Sequence, residues 1–438
     1  MSFVRRVLAS TRKGLSLTSQ IQINPPKSQL PFCNYHSIPN NLLQKLLKEP
    51  KSRIKIILDS EENSTLKSIG FSWDALLSAI NSSSTSKANL ISSTFGLYLW
   101  LVIINQALEW RLEKLLKHNE RNHELFAELI SHCEETRNLE LAMRTFMAME
   151  SVGLKPTSDI FNSLILVSLR VGNEMTALGL FEVMERSEDY KPDSKTYNAF
   201  VSMYAKSGNV KAMQAWASAK RVAGIPADLQ LYEFLISGCV KAKRYDTAEN
   251  FYEEMISSGF VPNIYILDRI IDGLCEQQDI GRAKEFLLSI IDNGWAISPH
   301  IADRLAHLCS ELGKIEGIEE LLQILTASKE SPEVLSRVHC GIIGMHARAD
   351  RLDDMEYAVG RMLKQGSTFK SADDIKVIIR SYFRRAAYDR LELFLEHIKG
   401  SCQFTKSTYD LLVTGYSEAG LSEQLGMLLK ELGLCETS

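Results

Sequence analysis

The chain has 438 residues, of which 45% are hydrophobic, and a formal net charge of −4. Its charge is unevenly distributed, because residues 1–48 contain seven basic and no acidic residues, whereas the remainder contains 43 basic and 54 acidic residues. This acidic body argues against a protein that binds nucleic acid by bulk attraction, so any such binding has to come from local basic patches.

The first 40 residues are predicted to be an organellar transit peptide. Residues 2–14 are basic, hydroxylated and weakly amphipathic, and the polar stretch around Pro25 and Pro26 argues against a folded element. Arginines early in a possible helix favour the mitochondrion slightly, while the serine content leaves the chloroplast open. An ordinary disordered tail is the alternative.

Residues 41–122 are predicted to be an irregular helical lead-in that ends in a charged amphipathic helix over residues 111–122. Within it, residues 88–108 form a stretch of 21 residues without a charge, long enough for a membrane span. The strongly apolar run covers only residues 95–104, between polar ends. A buried helix or a faulty gene model therefore fits at least as well, and we expect no membrane partner.

From about residue 123 to 435, small or apolar residues return about every 35 residues in three columns that keep one register. The first column is Ala142, Ala177, Met213, Ala248, Ala283, Ile318, Met355 and Leu391. The second is Met149, Met184, Lys220, Met255, Ile290, Leu325, Met362 and Ile398. The third is Ile130, Ile165, Val201, Ile236, Ile271, Ala306, Ile343 and Ile379. Such a period is typical of an array of stacked units rather than of one closed core.

Each unit is predicted to be a pair of short antiparallel helices. In residues 123–157, apolar side chains recur at helical spacing on both sides of a break at residues 136–138. Gly153 and Pro156 close the unit, and similar punctuation returns in later units, more weakly after residue 300. The sequence therefore predicts an all-α array of eight to nine repeats, whose first helices line a groove.

No catalytic or metal-binding motif is recognisable in the sequence. The eight cysteines include no Cys-x-x-Cys pair and are predicted to be reduced and mostly buried. His300 and His307 share a helix face, as do His339 and His346, but core or surface histidines are expected there rather than metal ligands. A P-loop, a Gly-x-Ser-x-Gly and a His-Glu-x-x-His motif are all absent from the sequence. We therefore predict that the protein is not an enzyme and uses no cofactor.

Two segments resemble the pentatricopeptide repeat. Its first helix is similar to Thr196-Tyr-Asn-Ala-Phe-Val-Ser-Met-Tyr-Ala-Lys-Ser-Gly208. Its second helix and linker are similar to Ala248-Glu-Asn-Phe-Tyr-Glu-Glu-Met-Ile-Ser-Ser-Gly-Phe-Val-Pro-Asn263. The resemblance implies a right-handed α-solenoid superhelix of helix-turn-helix repeats about 35 residues long. It also implies a P-class plant organellar protein that binds single-stranded RNA, with one repeat for each base.

In that family, a base is read by a residue early in the first helix together with the last residue of the repeat. The resemblance places these pairs at Ala127 with Thr157, Asn162 with Asp193, Asn198 with Asp228, Glu233 with Asn263, and Asp268 with Ser298. The later first members, Asp303, Cys340, Lys376 and Asp410, are irregular. An Asn carboxamide offers a donor and an acceptor that can match a pyrimidine edge, and by family analogy Asn with Asp favours uracil. The alternative is that Asn162 and Asn198 only cap or solvate helix starts.

The family also places a basic residue near the end of the first helix, toward the phosphates. The candidates in this sequence are Arg170, Lys206, Lys241, Arg348 and Arg384. Attraction to phosphate needs no fixed angle, so an aligned row of cations is sufficient, although any single one could belong to a solvated charged face. One departure from the family is the base-sandwiching position, which is usually aliphatic but here is mostly polar or charged, as at Asp159 and Lys195.

The sequence therefore predicts sequence-selective binding of single-stranded RNA in an organelle, supporting transcript processing, intron splicing, stabilisation or translation without catalysis. Other RNA-processing proteins are possible partners, and no small-molecule substrate is expected. The alternative is a protein-binding helical scaffold in an organellar ribonucleoprotein complex, which the acidic body favours and the Asn–Asp pairs oppose.

Overall fold

The structure is a computed structural model that describes residues 53–65, 94–369, 371–398 and 404–431. These residues form α-helices and contain no β-strand, which confirms the predicted all-α class. The helices are α1 Ile54–Thr65, α2 Thr94–Lys117, α3 His123–Thr136, α4 Leu139–Ser151, α5 Ser158–Val171, α6 Glu174–Glu185, α7 Ser194–Ser207, α8 Val210–Val222, α9 Leu229–Lys241, α10 Tyr245–Ser257, α11 Ile264–Glu276, α12 Ile280–Asp292, α13 Pro299–Glu311, α14 Ile315–Ala327, α15 Pro332–Arg348, α16 Leu352–Lys364, α17 Ala372–Arg384, α18 Tyr388–Ile398, α19 Lys406–Glu418 and α20 Ser422–Glu431. The predicted transit peptide, residues 1–40, lies outside the described residues.

The chain divides into two compact units. Unit one comprises Met1–Ser207 and Lys211–Ala227, and unit two comprises Gly208–Val210 and Asp228–Ser438. Within the described residues, consecutive helix pairs run from α3 with α4 to α19 with α20. We number these pairs repeats one to nine. Repeats one to three belong to unit one, apart from the first residue of α8, and repeats four to nine belong to unit two.

Capping side chains set where the helices of each pair begin. Asn138 and Asn173 precede the second helices α4 and α6, and each side-chain oxygen accepts a hydrogen bond from the backbone amide three residues later, at 3.0 and 3.2 Å. Asn263 and Ser298 do the same for the first helices α11 and α13, at 3.0 and 3.1 Å. These bonds satisfy amides that have no partner inside the helix. At Gly153 the chain leaves α4 with φ of +85°, a conformation that favours glycine.

The three columns predicted from the sequence are the buried core of the array. Every column residue is buried, and the largest exposed fraction in the columns is 3%, at Ala306. Burial at every step of the period means that no helix pair covers its apolar face alone, so stability comes from stacking. The one lysine in these columns, Lys220, has an exposed fraction of 0%.

In unit one the first helices α3, α5 and α7 contact each other in order, and α4 also packs against α5. An aromatic cluster joins repeats two and three. The Phe200 ring of α7 stacks on the Trp216 ring of α8 with centroids 4.0 Å apart, and Phe181 of α6 meets Trp216 edge-on at 5.0 Å. Because aromatic rings in these geometries add to the energy of burial, α6, α7 and α8 are held together firmly.

Unit two repeats the same arrangement. The first helices α9, α11, α13, α15, α17 and α19 contact each other in order. The second helices α10, α12 and α14 each pack against the first helix of the next repeat. Helix α15 has 17 residues where its equivalents α13 and α17 have 13. This longer helix accounts for the stretched interval between Ile318 and Met355.

The lead-in differs from the prediction of a separate helix over residues 111–122. Helix α2 is continuous from Thr94 to Lys117, because neither Gly nor Pro interrupts the chain between residues 97 and 117. It packs against α1 and α3, and Ile103, Ile104 and Leu108 are buried. A buried helix is therefore the structure of residues 101–108, while residues 88–93 lie outside the described part. Among the described helices, none has the length and apolar character that crossing a membrane requires.

Candidate nucleic-acid interface

Asn162 and Asp193, the pair predicted to read a base in repeat two, are hydrogen-bonded to each other. Asn162 lies in α5 and Asp193 directly precedes α7. Nδ2 of Asn162 donates to Oδ1 and to Oδ2 of Asp193, each at 3.1 Å. Asn162 is buried and lies inside its helix, so it is not a helix cap, which was the alternative.

Thr196, in the first turn of α7, completes this network. Its hydroxyl lies 2.6 Å from Oδ1 of Asn162 and 3.0 Å from Oδ1 of Asp193, and it accepts a hydrogen bond from the backbone amide of Asp193 at 3.0 Å. A hydroxyl has one proton to donate, and the shorter contact directs that proton to Asn162. Oδ1 of Asp193 also accepts from the backbone amide of Thr196 at 2.9 Å, so the same carboxylate caps α7.

These contacts fix the orientation of the Asn162 carboxamide. A carboxylate only accepts hydrogen bonds, so the nitrogen of Asn162 has to face Asp193 and the oxygen has to face Thr196. A carboxamide has two N–H donors and two acceptor sites on its oxygen. The oxygen of Asn162 therefore keeps one acceptor site for a ligand. Its nitrogen donates one N–H to both oxygens of Asp193, which leaves the second N–H for a ligand.

Asn198 occupies the equivalent position in repeat three, and Lys220 is one of its partners. It is buried in α7, and its Oδ1 accepts a hydrogen bond from Nζ of Lys220 in α8 at 3.0 Å. Asn198 is therefore not a helix cap either. Asp228, its predicted partner, belongs to unit two, where its side chain accepts from the backbone amide of Leu231 at 2.8 Å and caps α9.

Two further predicted pairs are in contact within unit two. At the position early in the first helix, where repeats two and three have Asn, these repeats have a carboxylate. Nδ2 of Asn263 donates to Oε1 of Glu233, and Oγ of Ser298 donates to Oδ1 of Asp268 at 2.5 Å. The carboxylates have no donor of their own, so these repeats offer acceptors to a ligand. In repeat one, Ala127 has no polar side chain to contribute.

The later repeats are irregular in structure as they are in sequence. Asp303 lies 3.6 Å from a guanidinium nitrogen of Arg337, and Cys340 is buried. Lys376 pairs with Asp373 of its own helix at 2.5 Å. Burial raises the pKa of Asp374 beside this group. Asp303 and Lys376 therefore form ion pairs with charged neighbours rather than the amide–carboxylate arrangement of repeat two.

All five residues predicted to contact phosphates are exposed at the ends of first helices. Arg170 pairs with Glu134 at 2.8 Å, Arg348 donates to Oγ of Ser310 at 2.6 Å, and Arg384 pairs with Asp350 at 2.6 Å. A carboxylate reduces what an arginine can offer to a phosphate. The two lysines of the predicted row, Lys206 and Lys241, lie in the last turns of α7 and α9.

The base-sandwiching positions of repeats two and three contact each other. Nζ of Lys195 lies 2.8 Å from Oδ1 of Asp159, and both side chains are mostly exposed. Hydrogen bonding to Asp159 raises the pKa of Lys195. An ion pair therefore occupies the place where an aliphatic side chain would pack against a base.

Neither metal nor thiol chemistry has a site in the described part of the chain. No group of three or more His, Cys, Asp and Glu side chains there could hold a metal ion. The thiols of Cys133, Cys239, Cys275, Cys309 and Cys340 are buried and form no disulfide bonds. Burial raises the pKa of Cys133 and of Cys275 to about 12, which keeps these thiols protonated and unreactive.

Sequence reasoning missed two residues at this site, Thr196 and Lys220. Thr196 gave no signal, because a threonine in the first turn of a helix is common. Lys220 did give one, since it is the single charged member of a column that is otherwise small or apolar. A buried lysine needs a hydrogen-bonding partner, and that requirement predicts a polar group within its reach.

Family models match three segments of the chain. The family model described as a pentatricopeptide repeat domain matches residues 120–168, and the model described as the PPR repeat matches residues 195–216 and 231–260. The positions of Asn162, Asn198 and Glu233 lie within these matches.

Several curated relatives carry the family name. A pentatricopeptide repeat-containing protein of Arabidopsis thaliana is 28% identical over 144 residues, which is 33% of this chain and 32% of the relative. The mitochondrial 15S rRNA processing factor of Yarrowia lipolytica is 28% identical over 126 residues, covering 27% of this chain and 16% of the relative. The matched part of the chain thus spans about a third or less of these relatives' length.

Among solved structures, the crystal structure of the pentatricopeptide repeat protein PPR10 in complex with an 18-nt psaJ RNA element has a TM-score of 0.48 and 17% identity, covering 87% of this chain and 58% of that one. The matched segments of this chain are therefore similar to pentatricopeptide repeats, in line with the period and register of the sequence.

Proposed function

We propose that this protein binds single-stranded RNA selectively, with the polar side chains at the junctions between repeats as the base-reading groups. The observation that carries the proposal is the network of Asn162, Asp193 and Thr196. It holds a carboxamide in one orientation at the position where the family reads a base. A fixed amide discriminates between bases because the wrong base leaves a buried polar group without its partner.

The basic residues at the ends of the first helices would supply affinity rather than specificity. Their attraction to phosphate is independent of sequence, whereas contacts with the base edges depend on it. Because Arg170 and Arg384 each have a carboxylate partner, each should contribute less of this attraction than an unpaired arginine would.

The action would be steric, without catalysis, as in a P-class protein. Bound RNA would be protected from exonucleases, kept from inhibitory pairing, or held in a shape that supports processing or splicing. We place this action in an organelle, because residues 1–48 are basic and free of acidic residues and because the relatives include chloroplast and mitochondrial proteins. The N-terminal pattern favours the mitochondrion slightly.

The test is selection from a randomised single-stranded RNA pool with the chain from about residue 41 onward, at two salt concentrations, followed by sequencing of the bound RNA. We expect an enriched motif that contains two adjacent uracils, and affinity that falls as salt rises. Weak binding without enrichment, lost at moderate salt, would contradict the proposal. It would favour the alternative, a protein-binding scaffold, which the net acidic charge outside residues 1–48 also favours.

A further inference from the structure

The second column of the core contains one charged residue among apolar ones. Its other members are Met149, Met184, Met255, Ile290, Leu325, Met362 and Ile398, all with an exposed fraction of 0%. Lys220 occupies the same position in repeat three and is equally buried. Burying an ammonium group is costly unless hydrogen bonds compensate it, so packing alone does not explain a lysine where methionine is usual.

Lys220 donates at least one hydrogen bond to Asn198. Its Nζ lies 3.0 Å from Oδ1 of Asn198, and both residues are buried. An ammonium group donates and cannot accept, so the oxygen of the carboxamide has to face Lys220 and the nitrogen has to point elsewhere. The stacking of Phe200 on Trp216 holds α7 against α8 and so fixes the distance between the two residues.

We infer that Lys220 is a positioning residue that fixes the carboxamide of Asn198, so that repeat three presents an amide N–H donor to its nucleotide. The inference rests on the proposed function. It identifies the preferred partner of repeat three as a base with a carbonyl acceptor on its exposed edge, which uracil provides. Thr196 has the corresponding role in repeat two, but through a neutral hydroxyl.

The test is a double-mutant cycle between Lys220→Met and Asn198→Ala, read out as base discrimination. Methionine restores the usual residue of the column and removes the donor. The probes are the RNA selected by the wild-type protein and its single-base variants at the nucleotides assigned to repeats two and three. Asn162→Ala identifies the nucleotide of repeat two, and fluorescence anisotropy gives each Kd.

We expect Lys220→Met to lower discrimination at the nucleotide of repeat three by at least about tenfold, the size expected for losing a hydrogen bond to a charged group. Discrimination at the nucleotide of repeat two should not change. In the Asn198→Ala background, Lys220→Met should have no further effect, because Lys220 acts through that amide. The matched control is Met184→Leu, a volume-conserving change at the same column position, which should leave both discriminations unchanged.

Lys220→Gln keeps a hydrogen-bond donor without the charge, and we expect this variant to retain base discrimination. It serves as the second variant if circular dichroism shows that Lys220→Met is not folded. The inference is overturned if folded Lys220→Met discriminates as well as wild type, or if the loss persists without Asn198. A loss with Lys220→Gln as large as with Lys220→Met also overturns it. If the wild-type protein shows no base preference, both the proposed function and this inference are wrong. That result is distinguishable from the failure of the inference alone, in which the wild-type protein keeps its base preference.

Discussion

Repeats two and three carry the same residue at the same position, yet different donors hold its oxygen. In repeat two the oxygen of Asn162 faces the neutral hydroxyl of Thr196, and its nitrogen faces the carboxylate of Asp193. In repeat three the oxygen of Asn198 faces the ammonium group of Lys220. A neutral donor and a charged donor can therefore orient the same amide. The comparison teaches that the residue at the reading position does not reveal which buried neighbour orients it.

The largest expected effect is on stability when each Asn is changed to Asp. Asn162→Asp places a second carboxylate 3.1 Å from Asp193 in a buried site, and we expect it to lower the free energy of unfolding by roughly 3 kcal/mol. Asn198→Asp places the new charge beside Lys220, so its cost should be smaller than that of Asn162→Asp. Urea unfolding of both variants measures the difference.

The pH dependence gives an internal check on this prediction. Repulsion from Asp193 would raise the pKa of the new carboxyl at position 162 in the folded protein. Its destabilisation should therefore be present at neutral pH and shrink as pH falls through that raised pKa. Equal losses in the two variants, at every pH, would show that Lys220 does not offset the new charge at position 198.

The second prediction concerns RNA binding by the double variant Asn162→Ala with Asn198→Ala. Each lost base contact should reduce discrimination by about 1–3 kcal/mol, so the variant should bind more weakly and without preference at two adjacent nucleotides. Filter binding to the selected RNA and to its two-base variants provides the measurement. Unchanged affinity and preference would remove both residues from the interface.

A smaller effect separates the two repeats through Thr196. Thr196→Val keeps the shape of the side chain but removes the hydroxyl that donates to Asn162, so we expect a loss of about 1 kcal/mol in stability. Discrimination should relax at the nucleotide of repeat two and stay intact at that of repeat three. Thermal unfolding and anisotropy with single-base variants test the two parts. A loss at both nucleotides would mean that the hydroxyl acts on the whole array.

The smallest effect is electrostatic and should not distinguish between bases. Removing one phosphate contact with Lys206→Ala should reduce the slope of log K against log salt by about 0.7 and weaken binding to all sequences alike. Lys211→Ala is the matched control, because Lys211 is exposed on the second helix α8 rather than on a first helix. Equal changes in slope for the two variants would contradict the assignment of phosphate contacts to the first helices.

The sequence predicts those features that follow from its period. The core columns were correct at every position, because apolar spacing determines which helix faces are buried. The pairing of Asn162 with Asp193, and of Glu233 with Asn263, followed from the repeat register implied by the family resemblance. The sequence therefore predicts which residue occupies the base-reading position of each of these repeats.

The contacts that orient and neutralise these groups were not predictable in the same way. Lys220 reaches Asn198 across a helix pair, and Glu134 reaches Arg170 from the preceding repeat. Such contacts depend on side-chain rotamers and on the distance between helices, which a one-dimensional pattern does not encode. The end of the lead-in helix was missed for a related reason, since helix α2 simply continues through residues predicted to start a new element.

The central claim, that RNA lies on the reading residues of repeats two and three, is tested most directly by photocrosslinking. The selected RNA, with 4-thiouridine at its two adjacent uracils, would be irradiated in complex with the protein, and the crosslinked tryptic peptides would be mapped by mass spectrometry. We expect crosslinks in the peptides 145–170 and 196–206, which contain Asn162 and Asn198. Crosslinks confined to peptides that contain neither residue would contradict the claim.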